Sequence, residues 1–178
     1  MASLLELMKG GMVGVIRTSS PEEALDTAVR AADSWACAVE VTWTVPQAAE
    51  VCRELVGRGL VVGAGTLLTK EDAQAAVDSG AQFLVAPVNP RFLLPFAAEA
   101  GVLAIPAGAT PSELFTAVEQ GADMVKVFPA ARLGGPAFIK DLLGPFPNMR
   151  VMCTGGLTRE SSRDYLVAGA YCVGLSRG

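Results

Sequence analysis

Short apolar runs alternate with helical patterns along the whole 178-residue chain. Each run is rich in β-branched residues and is bounded by glycine, proline or a polar residue, which is typical of buried strands. The eight predicted strands are Met12–Arg17, Ala38–Thr42, Val61–Ala64, Phe83–Ala86, Val102–Ile105, Met124–Phe128, Val151–Cys153 and Tyr171–Gly174.

Seven helices are predicted between these strands. Several open on a capping residue, such as Ser20 followed by proline, or Thr69 followed by an acidic first turn. Many close on a glycine that precedes the next strand. The expected starts lie at or near Ser20, Val45, Thr69, Asn89, Thr110, Gly135 and Thr158.

This regular alternation indicates repeated βα units and a parallel sheet. Eight units favour closure into a (β/α)₈ barrel, the TIM barrel. An open doubly wound sheet is the alternative, because the pattern does not contain the strand order. We expect one domain over residues 1–178, since no linker or break in composition divides the chain. The sequence stops just after the eighth strand, so the last helix of a standard barrel is expected to be missing.

Composition narrows the function classes. The net charge is −4 with scattered basic residues, which argues against a nucleic-acid partner. The apolar runs are too short to span a membrane, and the N-terminus lacks the basic region of a signal peptide, so we expect a cytoplasmic protein. The four cysteines form no CxxC pair and are interpreted as reduced thiols.

The chain contains no histidine. This excludes histidine-dependent catalytic triads and every histidine metal site. Acid–base chemistry must then use carboxylates, lysine, tyrosine, cysteine or water.

Two ionisable residues interrupt apolar strands at positions that face the interior. Lys126 shares a strand face with Met124 and Phe128, while Glu40 shares one with Ala38 and Thr42. Both strands are even-numbered, and side chains from alternate strands share layers inside such a barrel, so Glu40 and Lys126 are expected to meet near the axis.

The pair has two interpretations. A Schiff base needs an unprotonated lysine, which a carboxylate alone does not favour, so Glu40 is better cast as a general acid–base. The alternative is a buried salt bridge that only fills the barrel. Buried polar pairs in barrels cluster near active sites, which favours the first interpretation.

Glycine-rich loops follow the last two predicted strands. Thr154, Gly155 and Gly156 end the seventh strand, and Gly174 to Gly178 end the eighth, where many barrels bind phosphate. Arg17 ends the first strand and could place a guanidinium next to the eighth. Ordinary tight turns and a solvated arginine are the alternatives.

The chain resembles the 2-keto-3-deoxy-6-phosphogluconate (KDPG) aldolases, also active on 4-hydroxy-2-oxoglutarate (KHG), over essentially its whole length. The resemblance rests on the order and spacing of several motifs: GVIRTSSPEEA, AVEVTWT, VGAGTLL, SGAQFLVAP, IPAGATPSEL, VKVFPA, GPFPNMRVMCTGG and VGLSRG.

The resemblance implies a Schiff-base lysine at Lys126 and a proton shuttle at Glu40. It implies that Thr66, Pro87, Phe128 and Thr154 line the pyruvate pocket, and that Gly155, Gly156 and Ser176 bind phosphate; Arg17 matches a basic residue of some members. The substrate would be a small phosphorylated keto acid, cleaved to pyruvate and glyceraldehyde 3-phosphate. It further implies that no metal or organic cofactor is needed and that the protein is a homotrimer.

Two other functions stay open at the level of sequence. One is a catalytically weak or inactive aldolase-like barrel that serves as a subunit of a larger assembly. The other is a related phosphate-binding barrel with different chemistry, such as an isomerase, which would not need the buried lysine.

Overall fold

The parallel strands close into a barrel. The computed structural model describes residues 2–176. Within that range the strand order is β5-β4-β3-β2-β1-β9-β8-β7-β6, so the first strand pairs with the last and all other neighbours are also consecutive along the chain. The barrel prediction is confirmed and the open doubly wound sheet is wrong, because β5 (Leu103–Ile105) and β6 (Ala107–Gly108), at the two ends of this order, are joined through Pro106 and close the ring.

The strands lie close to the predicted runs. Their bounds are β1 Met12–Ile16, β2 Ala38–Thr42, β3 Val62–Gly65, β4 Phe83–Val85, β5 Leu103–Ile105, β6 Ala107–Gly108, β7 Val125–Val127, β8 Val151–Thr154 and β9 Cys172–Leu175.

Between residues 2 and 176, seven helices follow strands, as predicted, and one more precedes the first strand. Their bounds are α1 Ala2–Met8, α2 Pro21–Ser34, α3 Ala48–Gly57, α4 Lys70–Asp78, α5 Leu93–Ala100, α6 Pro111–Glu119, α7 Gly135–Leu143 and α8 Arg159–Val167.

The capping signals located some helix starts better than others. Ser20, Thr69, Thr110 and Thr158 each accept a hydrogen bond at the N-terminus of a helix, as expected. The helices expected at Val45 and Asn89 begin three or four residues later. In the first case Gln47 precedes the helix in a left-handed conformation, with φ 55°; a proline alone therefore placed these starts too early.

Proline splits the fifth strand of the barrel into β5 and β6. Pro106 lies between them, and each half pairs with only one neighbour: β5 with β4, and β6 with β7. Proline lacks an N–H, so it interrupts a ladder. Its carbonyl still accepts from the Lys126 N–H at 2.8 Å, which carries the closure across the break.

The lower half of the barrel interior is packed with apolar side chains. Phe83 and Met124 are fully buried there, and α1 inserts Leu5 and Met8 into the same cluster. The amphipathic N-terminal stretch therefore closes the N-terminal end of the barrel. Outward-facing residues such as Val39 and Val127 pack under the surrounding helices instead.

Burial of the thiols agrees with the expected reduced state. All four cysteines are free, and Cys52, Cys153 and Cys172 are buried. Burial raises the pKa of Cys52 and of Cys153 to about 12, so both thiols stay protonated at neutral pH.

Phe83 fits the barrel only because a glycine faces it. A Cβ at Gly63 would overlap the Phe83 ring, whereas a Cβ at Gly57, at the end of α3, would meet nothing within 4 Å. We expect Gly63→Ala to lower the free energy of unfolding by about 1–3 kcal/mol. Gly57→Ala is the matched control and should raise it by about 0.5–1 kcal/mol. Urea denaturation measures both, and equal effects would contradict this packing.

Candidate active site

Lys126 and Glu40 meet inside the barrel, as the alternation predicts. Lys126 Nζ lies 3.7 Å from Glu40 Oε1, and the two side chains are 7% and 1% exposed. This separation is longer than a hydrogen bond, so the pair interacts through charge while the amine is not locked to the carboxylate. The pair lies directly above the apolar interior, because Met124 and Ala38 occupy the preceding inward positions of the same strands.

Glycine makes room for the carboxylate. Gly65 follows Glu40 around the barrel in β3, and a Cβ there would overlap the Glu40 side chain. Any larger residue at position 65 would displace Glu40 from the axis. The glycine of the VGAGT motif is thus a requirement of the buried carboxylate.

Two buried oxygens face the site without a protein partner. Among the described residues, neither Glu40 Oε2 nor Thr154 Oγ1 has a hydrogen-bond partner. Buried polar atoms are normally paired, because an unmade hydrogen bond costs about 1–3 kcal/mol. Oxygens of this kind are available to a bound substrate.

Phe128 joins the lysine to the loop that follows β8. Its ring centroid is 5.4 Å from Lys126 Nζ, and the side chain is 38% exposed. Gly155 packs against the same ring, with its ideal Cβ position 3.0 Å away. The apolar ring thus forms one wall beside the amine.

The loop after β8 has the glycine backbone conformation expected of an anion site, in which backbone N–H groups are accessible. Gly155 and Gly156 both have positive φ, at 96° and 80°. Ser176 is exposed just after β9, which pairs with β8. The predicted phosphate residues are therefore adjacent; Arg177 and Gly178 of the predicted eighth-strand loop lie outside the described residues.

Arg17 does not take the position expected for it. Its guanidinium donates to Thr44 Oγ1 at 3.2 Å and to Thr66 Oγ1 at 3.1 Å. These threonines follow β2 and β3, on the opposite side of β1 from β9. The expectation that the guanidinium lies next to the predicted eighth strand, which is β9, is wrong. The hydroxyl groups that accept its hydrogen bonds lie on the other side of β1.

A cavity of about 470 Å³ opens beside the pair. It contains neither Lys126 nor Glu40, but it shares two predicted site residues, Pro87 and Phe128. The other lining residues are Val88, Asn89, Ala107, Gly108, Ala109, Ser112, Glu113 and Thr116. Backbone N–H donation from Ala109 and Thr110, with the Thr110 hydroxyl, lowers the pKa of Glu113, so this carboxylate stays charged as a helix cap.

Sequence reasoning missed two polar residues beside the site. Thr44 accepts a hydrogen bond from Arg17, and Thr42 connects Thr44 to the backbone carbonyl of Ile16 in β1. The TWT spacing puts both hydroxyls at one strand end, and this spacing could have identified them from the sequence.

Across residues 2–176 there is no group of three or more acidic or thiol side chains placed to hold a metal, and no helix long and apolar enough to cross a bilayer.

Comparison with known proteins decides the family. The chain matches the model of the KDPG and KHG aldolase family over residues 5–177. It belongs to this family of aldolases. Aldolases are carbon–carbon lyases, and the isomerase alternative therefore has no support.

Three relatives show the extent of the similarity. The chain is 41% identical over 116 residues to 2-dehydro-3-deoxy-phosphogluconate aldolase of Pseudomonas aeruginosa, a match that covers 65% of this chain but only 53% of that protein. It is 32% identical to 2-dehydro-3-deoxy-6-phosphogalactonate aldolase of Escherichia coli, over 92% of this chain and 82% of that one. KDPG aldolase from Legionella pneumophila, solved with pyruvate captured as a covalent carbinolamine, superposes with a TM-score of 0.86 at 29% identity, covering 99% and 86% of the two chains.

The buried pair of this aldolase should be strongly coupled in stability. Lys126→Met and Glu40→Gln should each lower the free energy of unfolding by about 3–5 kcal/mol, because each leaves a buried polar partner uncompensated. The double variant should lose clearly less than the sum. Urea denaturation of all four proteins measures the coupling.

An exposed ion pair supplies the control. Arg30 and Asp26 lie 2.9 Å apart on α2 with side chains more than half exposed. A cycle of Arg30→Met and Asp26→Asn should show coupling below about 1 kcal/mol. Equal coupling in the two cycles would contradict the account of the buried pair.

Proposed function

We propose that this chain is a Schiff-base aldolase that cleaves KDPG to pyruvate and glyceraldehyde 3-phosphate. The observation that carries the proposal is the Lys126–Glu40 pair inside the barrel of a member of the KDPG and KHG aldolase family. No metal or organic cofactor enters the reaction, because a protonated imine accepts the electron pair released by the breaking bond.

Lys126 is the nucleophile. Its unprotonated amine adds to the C2 carbonyl to give a carbinolamine, and loss of water leaves an iminium. The 3.7 Å between Lys126 Nζ and Glu40 Oε1 is longer than a hydrogen bond and leaves the nitrogen able to reach a carbon.

Glu40 moves the protons. It protonates the carbinolamine hydroxyl that leaves as water, and then removes the proton of the C4 hydroxyl. The C3–C4 bond breaks, its electrons form an enamine on the lysine, and C4 leaves as the aldehyde. Glu40, now protonated, transfers this proton to C3 of the enamine, and hydrolysis of the resulting iminium releases pyruvate and restores the amine. We expect Glu40 Oε2 and Thr154 Oγ1, which have no partner among the described residues, to bind substrate hydroxyls.

The two charged ends of the substrate bind at the ends of different strands, on either side of β1. The carboxylate is attached to C2 and must lie close to Lys126 and Glu40. Arg17 and Thr66 meet this requirement, because Thr66 directly follows Gly65, which contacts Glu40. We assign the carboxylate to them, with Pro87 and Phe128 as apolar walls.

The phosphate is carried by C6, four carbons beyond C2. We assign it to Gly155, Gly156 and Ser176, in the adjacent loops after β8 and β9. KHG has no phosphate, so these loops favour KDPG as the substrate. One relative is named for 2-dehydro-3-deoxy-6-phosphogalactonate, a compound that differs from KDPG in the configuration of the C4 hydroxyl.

The remaining properties follow the same reasoning. We infer that residues 1–178 form one domain that works in the cytoplasm, where buried thiols stay reduced. We also infer a homotrimer: Val88 and Phe128 are 52% and 38% exposed around one cavity, an apolar surface suited to contact with a second copy.

Borohydride reduction in the presence of pyruvate tests the nucleophile. We expect one pyruvate-derived adduct per chain, mapped to Lys126 by peptide mass spectrometry, because borohydride reduces the imine to a stable amine. Lys126→Met should give no adduct, whereas Lys140→Met, a change of an exposed lysine on α7, should label like the wild type.

The result also separates the second candidate function. A folded wild-type protein that gives no adduct, or an adduct that persists in Lys126→Met, would contradict the proposal. The first outcome would favour an inactive barrel within a larger assembly.

A further inference from the structure

Arg17 is tied to the barrel by a chain of hydroxyl groups. Its Nη1 donates to Thr44 Oγ1, which lies 3.0 Å from Thr42 Oγ1, and Thr42 in turn contacts the carbonyl oxygen of Ile16 at 2.9 Å. Ile16 immediately precedes Arg17. This series of hydrogen bonds thus begins and ends at adjacent residues at the end of β1.

The direction of every hydrogen bond in this chain is determined. A carbonyl only accepts, so the single O–H of Thr42 is donated to Ile16. Thr42 must therefore accept from Thr44, and Thr44 must accept from Arg17. Each hydroxyl donates once and accepts once, which is the arrangement in which neighbouring hydrogen bonds strengthen one another.

The backbone that carries these two threonines is held in place by burial and by hydrogen bonds. Thr42 is fully buried at the end of β2. The turn after it is fixed by Trp43 N–H donating to Gly65 O at 2.7 Å and Val45 N–H donating to Thr42 O at 2.9 Å. Thr44, although exposed, therefore presents its hydroxyl from a defined position.

A second hydroxyl holds the other side of the guanidinium. Thr66 accepts from Nη2 and has φ 62°, a left-handed conformation that β-branched residues rarely adopt. Such strain persists where the surroundings enforce it and is concentrated at functional sites. A guanidinium has five N–H donors. Two are used here, which leaves the others to bind an anion.

We propose that Thr44, supported by Thr42, is a positioning residue that holds Arg17 over the substrate carboxylate. This rests on the proposed function, which assigns the carboxylate to Arg17. An exposed arginine loses considerable side-chain entropy when it binds an anion. The hydroxyl chain imposes that loss before the substrate arrives, so it should act on substrate affinity and leave the chemical step at Lys126 unchanged.

Steady-state cleavage of KDPG and calorimetric pyruvate binding test the proposal. In Thr44→Val we expect KM and the pyruvate Kd to rise about five- to tenfold, because binding must then order one long side chain, with kcat within about twofold of the wild type. Thr44→Ser keeps the hydroxyl and should restore both constants. Thr27→Val, the same chemical change on the distant α2, is the matched control and should change neither.

Coupling to Arg17 separates positioning from a general structural effect. If Thr44 acts through Arg17, Thr44→Val should change the pyruvate Kd less than about twofold in an Arg17→Ala background. The Kd for inorganic phosphate should stay unchanged in Thr44→Val, because the phosphate loops follow β8 and β9, on the opposite side of β1 from Thr44.

Several results would overturn the proposal. These are an unchanged pyruvate Kd in Thr44→Val, failure of Thr44→Ser to restore it, or an equal loss with and without Arg17. Thr44→Ala provides the same readouts if the valine variant does not fold. A wild-type protein that binds pyruvate but does not cleave KDPG would refute the proposed function alone, since the binding measurements do not require turnover.

Discussion

The approach of Lys126 to Glu40 at the axis of a closed barrel is the contact on which the rest of the structure depends. Burying either charge alone would be costly, so the two strands that carry them must be held in register across the barrel. Closure through β1 and β9, the glycine at position 65 and the apolar packing beneath the pair all serve this requirement. The same burial that makes the pair costly also limits the access of water to the amine, which must be uncharged to act as the proposed nucleophile.

Much of this arrangement follows from local patterns in the sequence. Alternation within two strands placed Lys126 and Glu40 on inward faces. Their positions in the second and sixth predicted strands, which are β2 and β7 of the structure, placed them in one layer. The pattern has a period of two and is read within one strand, which is why the meeting of Lys126 and Glu40 was predicted correctly.

Features that depend on contacts between distant segments were not predictable in this way. The predicted fifth strand ended at Ile105, and nothing in the pattern indicated that Ala107 and Gly108 would continue it beyond Pro106 and pair with β7. The amphipathic N-terminus gave no indication that Leu5 and Met8 would close the bottom of the barrel. Arg17 was expected to point towards the eighth strand, and its direction is instead decided by Thr44 and Thr66, which are 27 and 49 positions away in sequence.

The central claim is that Lys126 forms an enamine whose carbon is protonated with the help of Glu40. Exchange of the pyruvate methyl protons in D₂O, followed by proton NMR, reports this step without an aldehyde partner. The account predicts rapid loss of the methyl signal with the wild-type protein, a rate at least about 100-fold lower with Glu40→Gln, and no enzymatic exchange with Lys126→Met. Exchange that continues at the wild-type rate in Lys126→Met would contradict it.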